Sequence, residues 1–199
     1  MRKIMALITA VAVLCVGCGK PGEGAQPDTR GVSAAVANWV DSGGWTGESL
    51  ERQRRLVRWY NLNLQSECPE SGFRECYHSI LAGPGGLIGW GEFPDTGAVL
   101  PLLQDGSAGA GFLHRQDTPI PNGEGGVSVL RLSSRQQMLW LSWRAPEPGD
   151  VFRIHILDLV LTYRIQAPTA DEALPEESCL LLFPWKGEDF AIQGILVES

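Results

Sequence analysis

The 199 residues lack most of the patterns from which an enzyme is read. No Cys-x-x-Cys occurs, which leaves a thioredoxin-like redox site without support. The three histidines, His78, His114 and His155, are scattered, and neither a zinc-protease nor a calcium-loop spacing is present, so no metal site and no cofactor is implied. The glycines at 83, 85, 86, 89 and 91 are followed by no lysine and do not have the order of a dinucleotide fingerprint; tight turning is their expected duty. No apolar run is long enough for a finished transmembrane helix, and no period of 20 to 50 residues marks a solenoid. Positive charge is also short, with 16 basic residues against 23 acidic ones and a formal charge of −7, which excludes a nucleic-acid binder.

What is present is concentrated at the start. Met1-Arg2-Lys3 is basic, Ile4 to Val16 is apolar, and Val16-Gly17-Cys18 follows. A basic end stays on the cytoplasmic side, an apolar core enters the translocon, and a small residue before the cut admits the peptidase. This layout resembles the signal and lipobox of bacterial lipoproteins, with Cys15 standing where leucine is usual. The resemblance implies that residues 1–17 are a signal peptide, that the Cys18 thiol receives a diacylglyceryl group, and that its new amine is acylated. Two or more acyl chains hold a protein firmly, at about 0.8 kcal/mol per buried methylene. Gly19, by the same resemblance, directs the chain to the outer membrane, facing the periplasm.

Residues 19–30 combine glycine, proline and polar groups with no apolar residue larger than alanine. They read as a tether with an r.m.s. reach of roughly 20 Å. Without residues 1–17, 14 of the basic residues remain against 23 acidic ones, and residues 31–199 suffice for one globular domain with a sizeable core. No known family is recognised in that domain.

Periodicity divides the domain into a helical start and a strand-rich remainder. Val32, Val36, Trp39 and Val40 predict a short amphipathic helix, stopped by Asp41-Ser42-Gly43-Gly44. A second helix is expected from Glu48 to about Gln65, with Leu50, Val57, Tyr60 and Leu64 on its apolar stripe. Arg52, Arg55 and Arg58 line another face, and the order of Glu48 before Arg52 and Glu51 before Arg55 predicts ion pairs on a solvated surface. Beyond Gly83-Pro84-Gly85-Gly86, strands are expected near 87–93, 98–103, 109–115, 127–132, 137–144, 151–165, 179–185 and 189–197. Within 151–165 the apolar side changes from even to odd positions at Leu157-Asp158. With no glycine or proline there for an ordinary hairpin, a bulge, a bend or a change of sheet is expected. The fold class predicted is α+β, with two N-terminal helices packed on a mostly antiparallel β-sandwich or barrel-like sheet.

Three cysteines remain beside Cys18. Cys68 and Cys76 flank the turn-rich Pro69-Glu70-Ser71-Gly72 and are the expected disulfide in an oxidising compartment, while Cys179 opens an apolar run and reads as a buried thiol. A serine hydrolase using Ser107 with His114, oriented by Asp117, is the nearest approach to a catalytic set, although Asp105 replaces the first glycine of the nucleophile elbow. Trp90, Trp140, Trp143 and Trp185 fall in predicted strands, where an exposed aromatic platform would hold sugar rings. The leading expectation is a non-catalytic binding or assembly lipoprotein. It would be held at the membrane by its lipid and would partner another envelope protein. A glycan-binding module and the hydrolase are the alternatives.

Overall fold

The computed structural model describes residues 38, 39, 45–81, 83–107, 109, 111–133, 146–167, 174, 175, 177–185 and 188–199. Among the described residues one long helix, α1 (Gly47–Gln65), precedes eight strands: β1 (Leu87–Phe93), β2 (Ala98–Gln104), β3 (Phe112–His114), β4 (Val127–Leu132), β5 (Val151–Ile156), β6 (Leu159–Gln166), β7 (Ser178–Trp185) and β8 (Glu188–Glu198). The strands close into a barrel in the order β1-β2-β3-β4-β7-β8-β6-β5. The expectation of two helices on a sandwich is therefore corrected. Of the first predicted helix only residues 38 and 39 are described, both helical, and the sheet curls back on itself instead of splitting into layers. Closure removes exposed strand edges, which a sandwich must protect by other means. The strand predicted at 137–144 lies outside the described residues.

Most neighbouring strands are antiparallel, but β2/β3 and β4/β7 run parallel. The β2/β3 pair explains the run of small residues after Asp105. The chain leaves β2 and must return beside it, with Leu102 opposite Phe112. A side chain at Gly111 would stand 2.9 Å from Pro101 Cγ, so only glycine permits that approach.

The barrel interior is filled by rings. Phe93, Phe112, Phe152, Tyr163 and Phe183 make a connected set, with Phe152 stacked on Tyr163 at 5.1 Å and Phe112 edge-on to Phe183 at 6.1 Å. Tilted and offset contacts of this kind add to the burial of aromatic area. Gly194 of β8 lies under the stacked pair and supplies the room.

The phase change at Leu157-Asp158 is a two-residue hairpin. Ile156 pairs with Leu159, Ile154 with Leu161 and Phe152 with Tyr163, so the inward face must pass from even to odd numbers. Glycine is absent because Leu157 itself takes the left-handed backbone, φ 57°, and buries its side chain in the main core. That conformation costs about 1 kcal/mol for a residue with a Cβ. Leu157→Gly is therefore expected to be at least as stable as Leu157→Ala in urea unfolding, reversing the usual order of the two residues. A clearly less stable glycine variant would show that the turn carries no strain.

Helix α1 presents Leu50, Val57, Tyr60 and Leu64 to the core, at the spacing predicted. The buried polar residues on this face act as clips. The Gln53 side chain accepts from the Leu81 backbone N–H at 2.8 Å, where Leu81 has φ 52°. Asn61 both donates to the Ile120 carbonyl at 2.8 Å and accepts from the Ile120 N–H at 2.9 Å. The helix thus holds the segment before β1 and the loop after β3 against the barrel.

The Cys68–Cys76 disulfide is also corrected, since both thiols are free and exposed. Turns across 71–76 lead into a short 3-10 helix at Tyr77–Ser79, and Phe73 is driven into the core against Tyr60 at 5.6 Å. A buried ring fastens this loop where a crosslink was expected.

Candidate functional site

Ser107, His114 and Asp117 do not form a hydrolase site. Ser107 lies in the turn after β2 with its N–H donating to the Gln104 carbonyl, and its hydroxyl fills the space beside Gly86. His114 is fully buried on β3, and both ring nitrogens are occupied. Nε2 lies 2.9 Å from the Pro119 carbonyl, which can only accept, so Nε2 carries the proton. Nδ1 then accepts from the Tyr77 hydroxyl at 2.8 Å. Burial holds the imidazole neutral and lowers its pKa to about 4. Asp117 is engaged by Arg115, whose hydrogen bond keeps the carboxyl below the usual carboxylate range.

The hydroxyl of Tyr77 is the centre of a buried polar knot. It also contacts the His114 carbonyl at 3.0 Å and accepts from the Asp105 N–H at 3.2 Å, while Gln104 donates to the Tyr77 and Ile80 carbonyls at 3.1 and 2.6 Å. Burial pushes the Tyr77 hydroxyl pKa well up. With every donor matched, the knot joins the pre-barrel segment, β2, β3 and the 115–119 loop, and presents no free base.

Cys179 of β7 is fully buried opposite Gly194 and Ser128, and desolvation raises its thiol pKa strongly. A thiol kept protonated and out of solvent is inert. A thiol-specific disulfide reagent is expected to label Cys68 and Cys76 in the native protein and Cys179 only after unfolding in urea. Rapid native labelling of Cys179, read by mass spectrometry, would overturn this.

Trp90 on the outer face of the barrel is no open sugar platform. It stacks on His155 at 4.7 Å and meets Trp39 edge-on at 6.3 Å, while His155 Nε2 lies 3.0 Å from Glu92. His155 is thus held between a ring and a carboxylate. Trp140 and Trp143 lie outside the described residues, as does the lipidation candidate Cys18.

Among the described residues a cleft of about 370 Å³ lies where α1 meets the β5–β6 hairpin and the 122–124 loop. Its lining is Glu51, Arg54, Arg55, Val57, Arg58, Asn122, Glu124, Leu157 and Leu159. Arg54 pairs with Asp158 through Nε at 3.0 Å and with Glu51; Arg58 pairs with Glu124, which Asn122 also holds at 3.0 Å. The Arg58 hydrogen bond lowers the Glu124 carboxyl pKa. The pairs predicted for Arg52 and Arg55 are not made, and among the described residues neither has an ion-pair partner. Sequence spacing singled out Arg52, Arg55 and Arg58 but missed Arg54, because Asp158 is 104 positions away. Among the described residues there is no metal-ligating cluster, and no helix is long and apolar enough to cross a membrane.

No protein-family model and no curated protein matches the sequence. Solved structures do. The chain is similar to sortase C1 from Streptococcus agalactiae, at 20% identity and a TM-score of 0.63, over 84% of this chain and 100% of that one. It is similar to Clostridium perfringens sortase C with the C-terminal cell wall sorting motif, at 20% identity and a TM-score of 0.60, over 82% of this chain and 97% of that one. Sortase C-1 from Actinomyces oris matches at 19% identity and a TM-score of 0.59, over 77% of this chain and 100% of that one. These likenesses correct two expectations. The domain from residue 31 onward does have recognisable relatives in fold, and those relatives are catalytic proteins. Neither the non-catalytic binding factor nor the glycan module nor the serine hydrolase finds support among them. At such identities the likeness speaks for architecture: the chain shares the closed barrel of the sortase fold.

Proposed function

We propose that the chain is a sortase-like protein that handles an extended peptide segment of another envelope protein. The observation that carries this reading is the closed barrel itself, matched over about four-fifths of the chain by sortase C with a cell wall sorting motif. Envelope-protein partners of that kind also suit the lipid anchor implied at Cys18, which would hold the barrel beside the outer membrane on the tether expected at 19–30. Chemistry on the peptide does not run through Cys179 or His114, because the first is a buried protonated thiol and the second has both nitrogens engaged.

The test is photo-crosslinking of the full chain in intact cells, followed by incubation of the purified protein with synthetic peptides taken from whatever is trapped. Saturable binding of one extended segment is expected, with mass spectrometry reading any cleavage or transfer product. Cys179→Ala should alter neither the binding nor the product. Failure of every trapped sequence to bind the folded protein would overturn the reading. Recovery of a native chain with an unmodified amino terminus, free of the envelope, would remove its anchored placement.

A further inference from the structure

The cleft on α1 combines three features that point to one class of ligand. Its base is aliphatic, made by Val57, Leu157 and Leu159. Its rim is rich in guanidinium, with Arg54, Arg55 and Arg58 set against Glu51, Glu124 and Arg54's partner Asp158. Two of those arginines are committed to Asp158 and Glu124, whereas Arg55 is exposed and has no ion-pair partner among the described residues.

We infer that this cleft binds an aliphatic carboxylate, with its chain on Leu157 and Leu159 and its acid group on the Arg55 guanidinium. A planar guanidinium fork matches a carboxylate through two parallel N–H donors. Arg54 and Arg58 are engaged by their own partners on the exposed rim, which leaves Arg55 as the guanidinium open to the ligand. Since Glu51, Glu124 and Asp158 already take up Arg54 and Arg58, one guanidinium is left for the ligand, which suits a monoanion better than a phosphate dianion. The volume of about 370 Å³ is at the lower end for ligand clefts, so the ligand is small. The cleft's own residues carry this inference, which stands apart from the likeness to sortases.

Such a carboxylate can come from the C-terminus of a peptide or from a free short-chain acid, and the experiment separates them. The full-length protein is titrated calorimetrically with N-acetyl-valyl-leucine, with its C-terminal amide, with hexanoate, and with phosphatidylglycerol vesicles. The free acids are expected to bind, and the amide to bind at least tenfold more weakly. The stronger of the two acids identifies the source. Arg55→Gln should lower acid affinity tenfold or more, to the level of the amide, with an unchanged thermal unfolding midpoint. Arg55→Lys should fall between, and Arg52→Gln should match the unsubstituted chain. Equal binding of acid and amide, an unaffected Arg55→Gln variant, binding of vesicles alone, or no binding at millimolar concentration would each overturn the inference.

Discussion

Gly194→Val is expected to leave the barrel unable to close. The β-carbon alone would stand 2.6 Å from Phe152 Cζ and 2.9 Å from Tyr163 Cβ, and the stacked pair has no space behind it because Phe152 also packs on Phe93 at 5.9 Å. Interiors are close-packed, so such an overlap is relieved only by moving rings or backbone. Alanine should cost ~1–3 kcal/mol as an overpacking change. The further methyls of valine should take the loss beyond ~4 kcal/mol, where a marginally stable domain no longer holds together. Urea unfolding and near-ultraviolet circular dichroism check this directly. A Gly194→Val protein with an unchanged midpoint would mean that the interior is looser than the ring contacts indicate.

The second large effect is acid sensitivity through His114. Its imidazole has a folded-state pKa of about 4 against 6.5 for the free side chain. Between these values the unfolded chain binds a proton that the native state refuses. The stabilisation is therefore complete above pH 6.5 and is lost as pH falls towards 4. A shift of this size amounts to about 3 kcal/mol across that window. Arg115 and Arg58 hold Asp117 and Glu124 low, so these carboxylates add their own loss at the acid end. Comparison with His114→Gln isolates the histidine. The variant should be less stable by about 2 kcal/mol at pH 7, having loosened the contacts to Tyr77 and Pro119. Its curve should then be flatter between pH 6.5 and 4, so that the two proteins become equally stable at pH ~5 and change order below it. Parallel curves would show that His114 titrates normally.

The strands were legible because half-buried β-structure writes itself into sequence with a period of two. Phe152, Ile154 and Ile156 followed by Leu161, Tyr163 and Ile165 announced extended chain and a change of face at Leu157-Asp158, although as one strand over 151–165. The hairpin itself was not foreseen, since turn rules expect glycine or asparagine where Leu157 adopts φ 57° for the sake of its buried side chain. Closure was hidden as well. The parallel pairing of β4 with β7 joins strands between which β5 and β6 intervene, and no local pattern encodes that partnership. At the site, helical spacing found Val57, Arg55 and Arg58, but the residues that complete the cleft come from the hairpin and the 122–124 loop. Ser107 and His114 were chosen by residue type. Type alone cannot reveal that a hydroxyl fills a gap beside Gly86 or that Tyr77 and Pro119 occupy an imidazole.

The parallel β4/β7 seam is also one of the costly closures of the barrel. It brings Val127 to Ser178 and Arg131 to Leu182, so the loop closed by that contact spans about fifty residues, whereas the β5–β6 hairpin closes within two. Local hairpins form in microseconds, and distant pairings wait on chain entropy. The β1/β5 seam, which brings Gly89 to Ile156, spans more residues still. Wherever either long-range seam is open, two strand edges stand unpaired, exposed to proteases and to neighbouring copies.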